Sequence, residues 1–155
     1  EIYKNFGVET VFNDNTIVLL KKGISNQKSL TLNLQSSPDI AQTIVVTCFG
    51  LGIGCHLTGL HTLRIKETDR LEALKVELSK LDAKIKVSND SLTLEASDNI
   101  TSNVKIATYN DHRMAMAFAP LALTVPIIIE NAEVVSKSFP TFWEDLKTIG
   151  FQISE

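Results

Sequence analysis

The chain has 155 residues, with 15 Lys+Arg against 18 Asp+Glu and a formal net charge of −3. Apolar residues make up 44% and charged residues 21%, which suits a globular chain with a core of its own and argues against disorder. The length fits one domain or a piece of a larger one; no run approaches the roughly 20 apolar residues of a membrane span, and a mildly acidic chain without a lysine-rich block is ill suited to neutralising a nucleic-acid backbone.

Val8–Phe12 and Ile17–Leu20 flank Asn13-Asp14-Asn15 and read as a β-hairpin. Ser29–Leu34 alternates, with Leu30, Leu32 and Leu34 on one face. Ser37-Pro38-Asp39 then opens an apolar helix, expected over 38–51 with Ser37 as its cap and Gly52 and Gly54 closing it. Cys48 and Cys55 lie in this stretch without a second ligand pair for zinc. They are expected to be buried, reduced thiols of a cytoplasmic protein.

His56–Leu60 reads as the next strand. Leu71, Leu74, Leu78 and Leu81 form the stripe of a second helix ending near Asp82, and Lys84–Val87 with Leu92–Glu95 form a second hairpin. After a polar linker at Ser97–Ser102 the order starts again. Val104–Ala107 reads as a strand, Asp111–Leu123 as a helix in which Pro120 predicts a kink or early stop, Ile127–Glu130 as a strand, Pro140–Ile149 as a helix and Phe151–Ser154 as a strand. The repeat is in near register: Asp39 and Lys66 are 27 positions apart, Asp111 and Lys137 are 26 apart. The expected fold class is therefore α/β (α+β), built of βαβαββ units. The hairpin of a preceding unit occupies 1–28, a whole unit 29–96 and an incomplete one 103–155. Both ends look cut from a longer protein, and the chain opens at Glu1 without an initiator Met.

Of the 15 basic residues only Arg64, Arg70 and Arg113 are arginines, and they gather at two helix starts. Four polar motifs fall at predicted helix N-termini: Asp39; Lys66, Glu67 and Arg70; Asp111, His112 and Arg113; and Lys137 ahead of Pro140. Cations go against the preference of a helix N-terminus, so Arg70, Arg113 and Lys137 there imply an anion in front of them. Taken singly, each motif has a plainer reading. Glu67 and Arg70 make a surface i, i+3 pair, Asp39 and Asp111 are helix-start carboxylates, and Asp111 pairs with Arg113. His56 and His61 read as structural or exposed, Met114, Met116 and Phe118 as core, and Trp143, Phe139 and Phe142 as packing. Together the motifs point to a site for a small polyanion with acid/base groups set among cations.

The segments Leu63-Arg64-Ile65-Lys66-Glu67-Thr68-Asp69-Arg70, Asn110-Asp111-His112-Arg113-Met114-Ala115-Met116-Ala117-Phe118, Pro38-Asp39-Ile40-Ala41-Gln42 and Ser136-Lys137-Ser138-Phe139-Pro140 stand in the order found in one family. The chain resembles the C-terminal portion of enzymes of the 5-enolpyruvylshikimate-3-phosphate synthase family. The resemblance implies two domains of three βαβαββ units each, with the site in the cleft between them, so the missing N-terminal part is an expected partner. It further implies transfer of the enolpyruvyl group from phosphoenolpyruvate to the 5-hydroxyl of shikimate 3-phosphate, with release of phosphate. No metal or organic cofactor is implied. Asp39 matches a carboxylate that contacts the shikimate hydroxyls and is a candidate base; Lys66 matches a lysine near the reacting centre. Glu67 matches the proton donor and acceptor at the methylene carbon. Arg70, Arg113 and Lys137 match the cations that hold phosphoenolpyruvate, and His112 a histidine beside the site. Thr62 departs from an Asn that touches substrate in some members. The alternatives are a relative acting on a UDP-sugar, an RNA 3′-phosphate cyclase and a non-catalytic anion-binding module. As a fragment the chain is expected to be catalytically silent alone.

Overall fold

The computed structural model of the chain describes residues 1–23 and 27–154. Residues 24–26, between the expected hairpin and first unit, and residue 155, the last of the expected second unit, lie outside the described residues. The hairpin forms as β1 (Val8–Asn13) and β2 (Thr16–Lys21), turning at Asp14 with φ +26°. It pairs with no other described strand, and Phe12, Ile17 and Leu19 are 75%, 64% and 67% exposed.

The main sheet has the order β3-β4-β6-β5. Here β3 (Ser29–Asn33) and β4 (Gly54–Thr58) run parallel, while β6 (Ser91–Leu94) lies antiparallel to both β4 and β5 (Ile85–Val87). The register draws two apolar rows across all four strands: Leu30, Cys55, Leu94, Ile85 and Leu32, Leu57, Leu92, Val87. Directly opposed residues share a face, so the rows make one continuous apolar surface. Two helices join it in the core. In α1 (Ala41–Gly50) Ile44, Val45, Cys48 and Phe49 are buried, and in α2 (Arg70–Lys80) Leu71, Leu74 and Leu78 are, with Leu81 just beyond. Each fully buried leucine of that stripe contributes roughly 2 kcal/mol of transfer free energy. The helix is specified by its leucine spacing and stopped after Lys80 by Leu81 and Asp82, the latter with φ +76°. Cys48 and Cys55 are free and buried; the hydrogen bond between them, then burial, push the Cys55 thiol up.

A second pair of parallel strands, β7 (Val104–Ile106) and β8 (Ile127–Ile129), brackets α3 (His112–Phe118). The helix gives way to a 3₁₀ turn over Ala119–Leu123 at Pro120, the early stop that the missing proline N–H predicts. Met114 and Phe118 are fully buried, and α3 packs against both α1 and a 3₁₀ segment, Ala132–Lys137. α4 (Phe142–Thr148) closes the described chain, with Phe142 edge-to-face on Phe139 and Trp143 and the Trp143 indole N–H donating to the Ala132 carbonyl at 2.8 Å.

Four expectations need correction. Phe151–Ser154 is not a strand. In the first sheet the strand at the matching place, β5, bonds only to β6, and among the described residues no β6 counterpart stands beside residues 151–154. Ser37 makes no capping hydrogen bond, because Pro38–Ile40 forms a 3₁₀ turn and α1 begins only at Ala41. Gly54 does not end the helix but opens β4 opposite Ser29. Lys137 ends a 3₁₀ segment and precedes α4 instead of sitting at its start.

Candidate active site

The four motifs share a topological place: each follows the carboxyl end of a parallel strand. β3 leads to Asp39, β4 to Lys66, Glu67 and Arg70, β7 to Asp111, His112 and Arg113, and β8 to Lys137. Open α/β sheets hold their ligands at such ends. At the exit of β4, Gly59 has φ +77°, and a Cβ there would stand 2.5 Å from the Gln35 backbone nitrogen. Only glycine lets the exits of β3 and β4 approach this closely.

Arg70 is the centre of the arrangement. It is the first residue of α2, whose start is fixed by Asp69: one carboxylate oxygen accepts from the Leu71 and Glu72 N–H groups, each at 3.1 Å, and the other accepts from Arg64 at 2.6 Å. The Arg70 side chain is 2% exposed and reaches three carboxylates. Its Nε donates to Asp111 Oδ2 at 2.6 Å, Nη1 to Asp39 Oδ1 at 2.9 Å and Nη2 to Glu67 Oε2 at 2.7 Å. Asp111 is wholly buried and also caps α3 by accepting from the Arg113 N–H at 2.9 Å. Desolvating a guanidinium and a carboxylate is tolerable only with this degree of pairing.

Asp39 and Glu67 keep an open side, at 39% and 45% exposure. Lys66 Nζ lies 3.2 Å from Asp39 Oδ1, and Arg113 donates to the Asp39 carbonyl at 3.2 Å with its other nitrogen 4.0 Å from the carboxylate. Partial burial alone would raise the Asp39 carboxyl. The Lys66 hydrogen bond and the charges of Lys66, Arg113 and Arg70 together outweigh it and hold the carboxyl below its ordinary value. Three cations thus face three carboxylates in one connected set. Lys137 stands outside that balance: it donates to Asn110 Oδ1 at 2.8 Å and to the Asn110 carbonyl at 3.2 Å, and has no carboxylate partner among the described residues. His112, Arg113 and Thr43 line an open cleft of about 270 Å³ with Ser138 and Phe139, next to Lys137. Ligand atoms of Glu67, Asp111 and His112 lie within 4.8 Å of one another.

All seven residues expected from sequence thus fall at the strand exits. Asp39, Lys66, Glu67, Arg70 and Arg113 are joined in one network, with His112 beside it and Lys137 on the neighbouring turn. Asp111 pairs with Arg70 from 41 positions away, not through its side chain with that of Arg113. His56 bonds Thr93 across the sheet at 2.8 Å and exposed His61 sits by Asp90. The Thr62 hydroxyl is buried without a hydrogen-bond partner among the described residues. Three further residues contribute without having been singled out by their chemistry: Asn110, Tyr109 and Glu77. Glu77 was visible as an acid inside the Leu74–Leu78–Leu81 stripe. It is wholly buried and accepts from Lys80 at 2.6 Å, Tyr109 at 2.7 Å and the Ala107 N–H at 3.0 Å.

Comparison with known proteins adds independent findings. Residues 1–146 match the family model described as EPSP synthase (3-phosphoshikimate 1-carboxyvinyltransferase). A 3-phosphoshikimate 1-carboxyvinyltransferase of Bacteroides fragilis is 44% identical over 99% of this chain and 38% of its own length. One from Clostridioides difficile is 40% identical over 100% of the chain and 35% of its own length. The chain therefore spans little more than a third of these relatives. Among solved structures, EPSP synthase from Acinetobacter baumannii superposes with TM-score 0.84 at 24% identity over 99% of this chain and 38% of that one. The enolpyruvyl transferase NikO from Streptomyces tendae gives TM-score 0.65 at 15% identity over 99% and 35%. These likenesses show a shared α/β fold. With the family match covering nearly the whole sequence, the chain belongs to the EPSP synthase (3-phosphoshikimate 1-carboxyvinyltransferase) family.

Proposed function

We propose that this chain carries part of the active site of an enzyme that moves the enolpyruvyl group of phosphoenolpyruvate to the 5-hydroxyl of shikimate 3-phosphate. The observation that carries the reading is the closure of two distant motifs, Lys66-Glu67-x-x-Arg70 and Asp111-His112-Arg113, around one buried guanidinium that leaves Asp39 and Glu67 open on one side. In this reading Asp39 orients the 5-hydroxyl and accepts its proton. The freed oxygen bonds to the enol carbon of phosphoenolpyruvate while Glu67 gives a proton to the methylene carbon. In the second half Glu67 takes a proton back from that carbon, the carbon–oxygen bond to phosphate breaks, and the electron pair leaves on phosphate, which collects the proton held at Asp39. Lys66 and His112 stand beside the reacting centre.

Arg113 and Lys137 hold the phosphoenolpyruvate charges. Arg70, which the resemblance also assigns to this anion, is 2% exposed and acts here by setting the three carboxylates in place. The leaving phosphate is already activated and the charge it develops is met by cations, so the chemistry asks for no metal or organic cofactor. The remainder of the protein, including the N-terminal part, would complete the cleft and exclude water. The units 29–96 and 103–155, preceded by the hairpin of 1–28, are the divisions this reading uses. The two buried, free thiols suit a reducing cytoplasm.

Phosphate release from phosphoenolpyruvate plus shikimate 3-phosphate tests it, comparing the chain alone with the chain mixed with the separately expressed remainder. Release is expected only in the mixture, reduced at least about 100-fold by Glu67→Gln without loss of folding, and abolished by Arg113→Ala. Enzyme-like release by the chain alone, or none from the folded mixture, would overturn the reading, as would binding of UDP-N-acetylglucosamine in place of shikimate 3-phosphate.

A further inference from the structure

Lys137 is held by two oxygens of a single residue, Asn110, and by no carboxylate among the described residues. For the carbonyl and the side-chain oxygen to meet the same ammonium, Asn110 adopts φ +58°, directly after Tyr109 at φ +54°. Two successive left-handed residues, one of them aromatic, persist only where the surroundings dictate them. Here the surroundings are explicit. The Tyr109 hydroxyl and the Ala107 N–H both donate to Glu77, buried on α2. On the far side Asp111 is fixed by Arg70, also on α2, and its N–H donates to the Thr108 carbonyl at 2.9 Å. The turn 107–111 is therefore bolted to α2 at both ends, and Asn110 is its exposed apex, facing Lys137.

We infer that Asn110 is a positioning residue: the pinned left-handed turn lets it present the Lys137 ammonium, unneutralised, to the anionic group of the substrate. The inference rests on the reading of Lys137 as a contact for phosphoenolpyruvate. A neutral amide suits this task better than a carboxylate, because it directs the ammonium without cancelling the charge that the substrate is to meet.

Asn110→Gly tests the effect, since glycine adopts positive φ freely and removes the side-chain acceptor while keeping the backbone carbonyl. Near-UV circular dichroism checks that the fold is kept. The first measurement is acylation of Lys137 by an amine-reactive ester, followed by peptide mass spectrometry on the 155-residue chain and on the full-length enzyme carrying it. Release of one hydrogen bond should speed labelling at Lys137 about threefold or more in Asn110→Gly and leave Asn110→Asp, which keeps an acceptor, no faster than the unmodified protein. The second is steady-state kinetics of the full-length enzyme. KM for phosphoenolpyruvate should rise about fivefold, with kcat and KM for shikimate 3-phosphate within about twofold. In a Lys137→Met background, adding Asn110→Gly should change KM by less than about twofold, the non-additivity expected of two residues acting through one contact. Unchanged labelling in Asn110→Gly overturns the inference whatever the kinetics, and so does full additivity with Lys137→Met. If labelling responds but the unmodified full-length protein does not turn over, the coupling of Asn110 to Lys137 stands and the enolpyruvyl-transfer reading falls instead.

Discussion

Arg70 and Glu77 show how a single buried charge organises its surroundings. Each is a charged side chain on the inner face of α2, and each is tolerated because several partners from distant segments converge on it. The Glu77 environment also makes a pH-dependent prediction. Burial first, then the hydrogen bond to Glu77 and its negative charge, push the Tyr109 phenol up to about 12. A folded-state value above the ordinary one of about 10 means that the bond stabilises the protein fully below pH 10 and is lost as pH rises toward 12. Tyr109→Phe should accordingly lower stability by about 1 kcal/mol in urea titrations near pH 8, and the gap to the unmodified protein should close as pH rises past 10. A gap that is constant across that range would show that the phenol's proton is not what matters.

Among the elements, the helices were the most legible. The leucine period of α2 and the proline at 120 announced where each helix packs and stops, because a 3.6-residue period is written locally. Phe151–Ser154 has the alternation of a strand and fails to be one, since a strand is defined by a neighbour the pattern cannot supply. The site was legible to the same degree. The residues were identifiable from their motifs, whereas the left-handed turn at Tyr109-Asn110 and the pairing of Arg70 with Asp111 depend on contacts across the fold. The start of α2 carries its own test. Asp69 serves two backbone N–H groups and Arg64 together, so Asp69→Ala should destabilise the protein by about 1–2 kcal/mol in denaturant titrations, while Asp69→Asn, which keeps the cap, should recover most of the loss. Equal losses in both variants would assign the effect to Arg64 rather than to the cap.

At the scale of the whole molecule, two parallel strand pairs in separate sheets deliver their motifs to a shared centre, and the buried Arg70–Asp111 pair is a bond between them. Trp143, the chain's single tryptophan, lies with Val134 and Val135 in the smaller apolar cluster beyond α3, so its fluorescence reports on that side alone, whereas far-UV circular dichroism follows every helix and strand. In the unmodified protein the two signals should lose their native values together. In Asp111→Ala, which leaves Arg70 with one carboxylate fewer and α3 without its cap, the Trp143 transition should come first, at about 0.5 M less urea or more. Transitions that shift but stay coincident would refute the link. The ionic centre thus ties the two sheets together: the Arg70–Asp111 pair adds to the apolar core that Ile106, Met114 and Phe118 share with α1 and α2. If the centre is the substrate site proposed above, a molecule in which one sheet has opened would carry no half-competent site that could bind substrate unproductively.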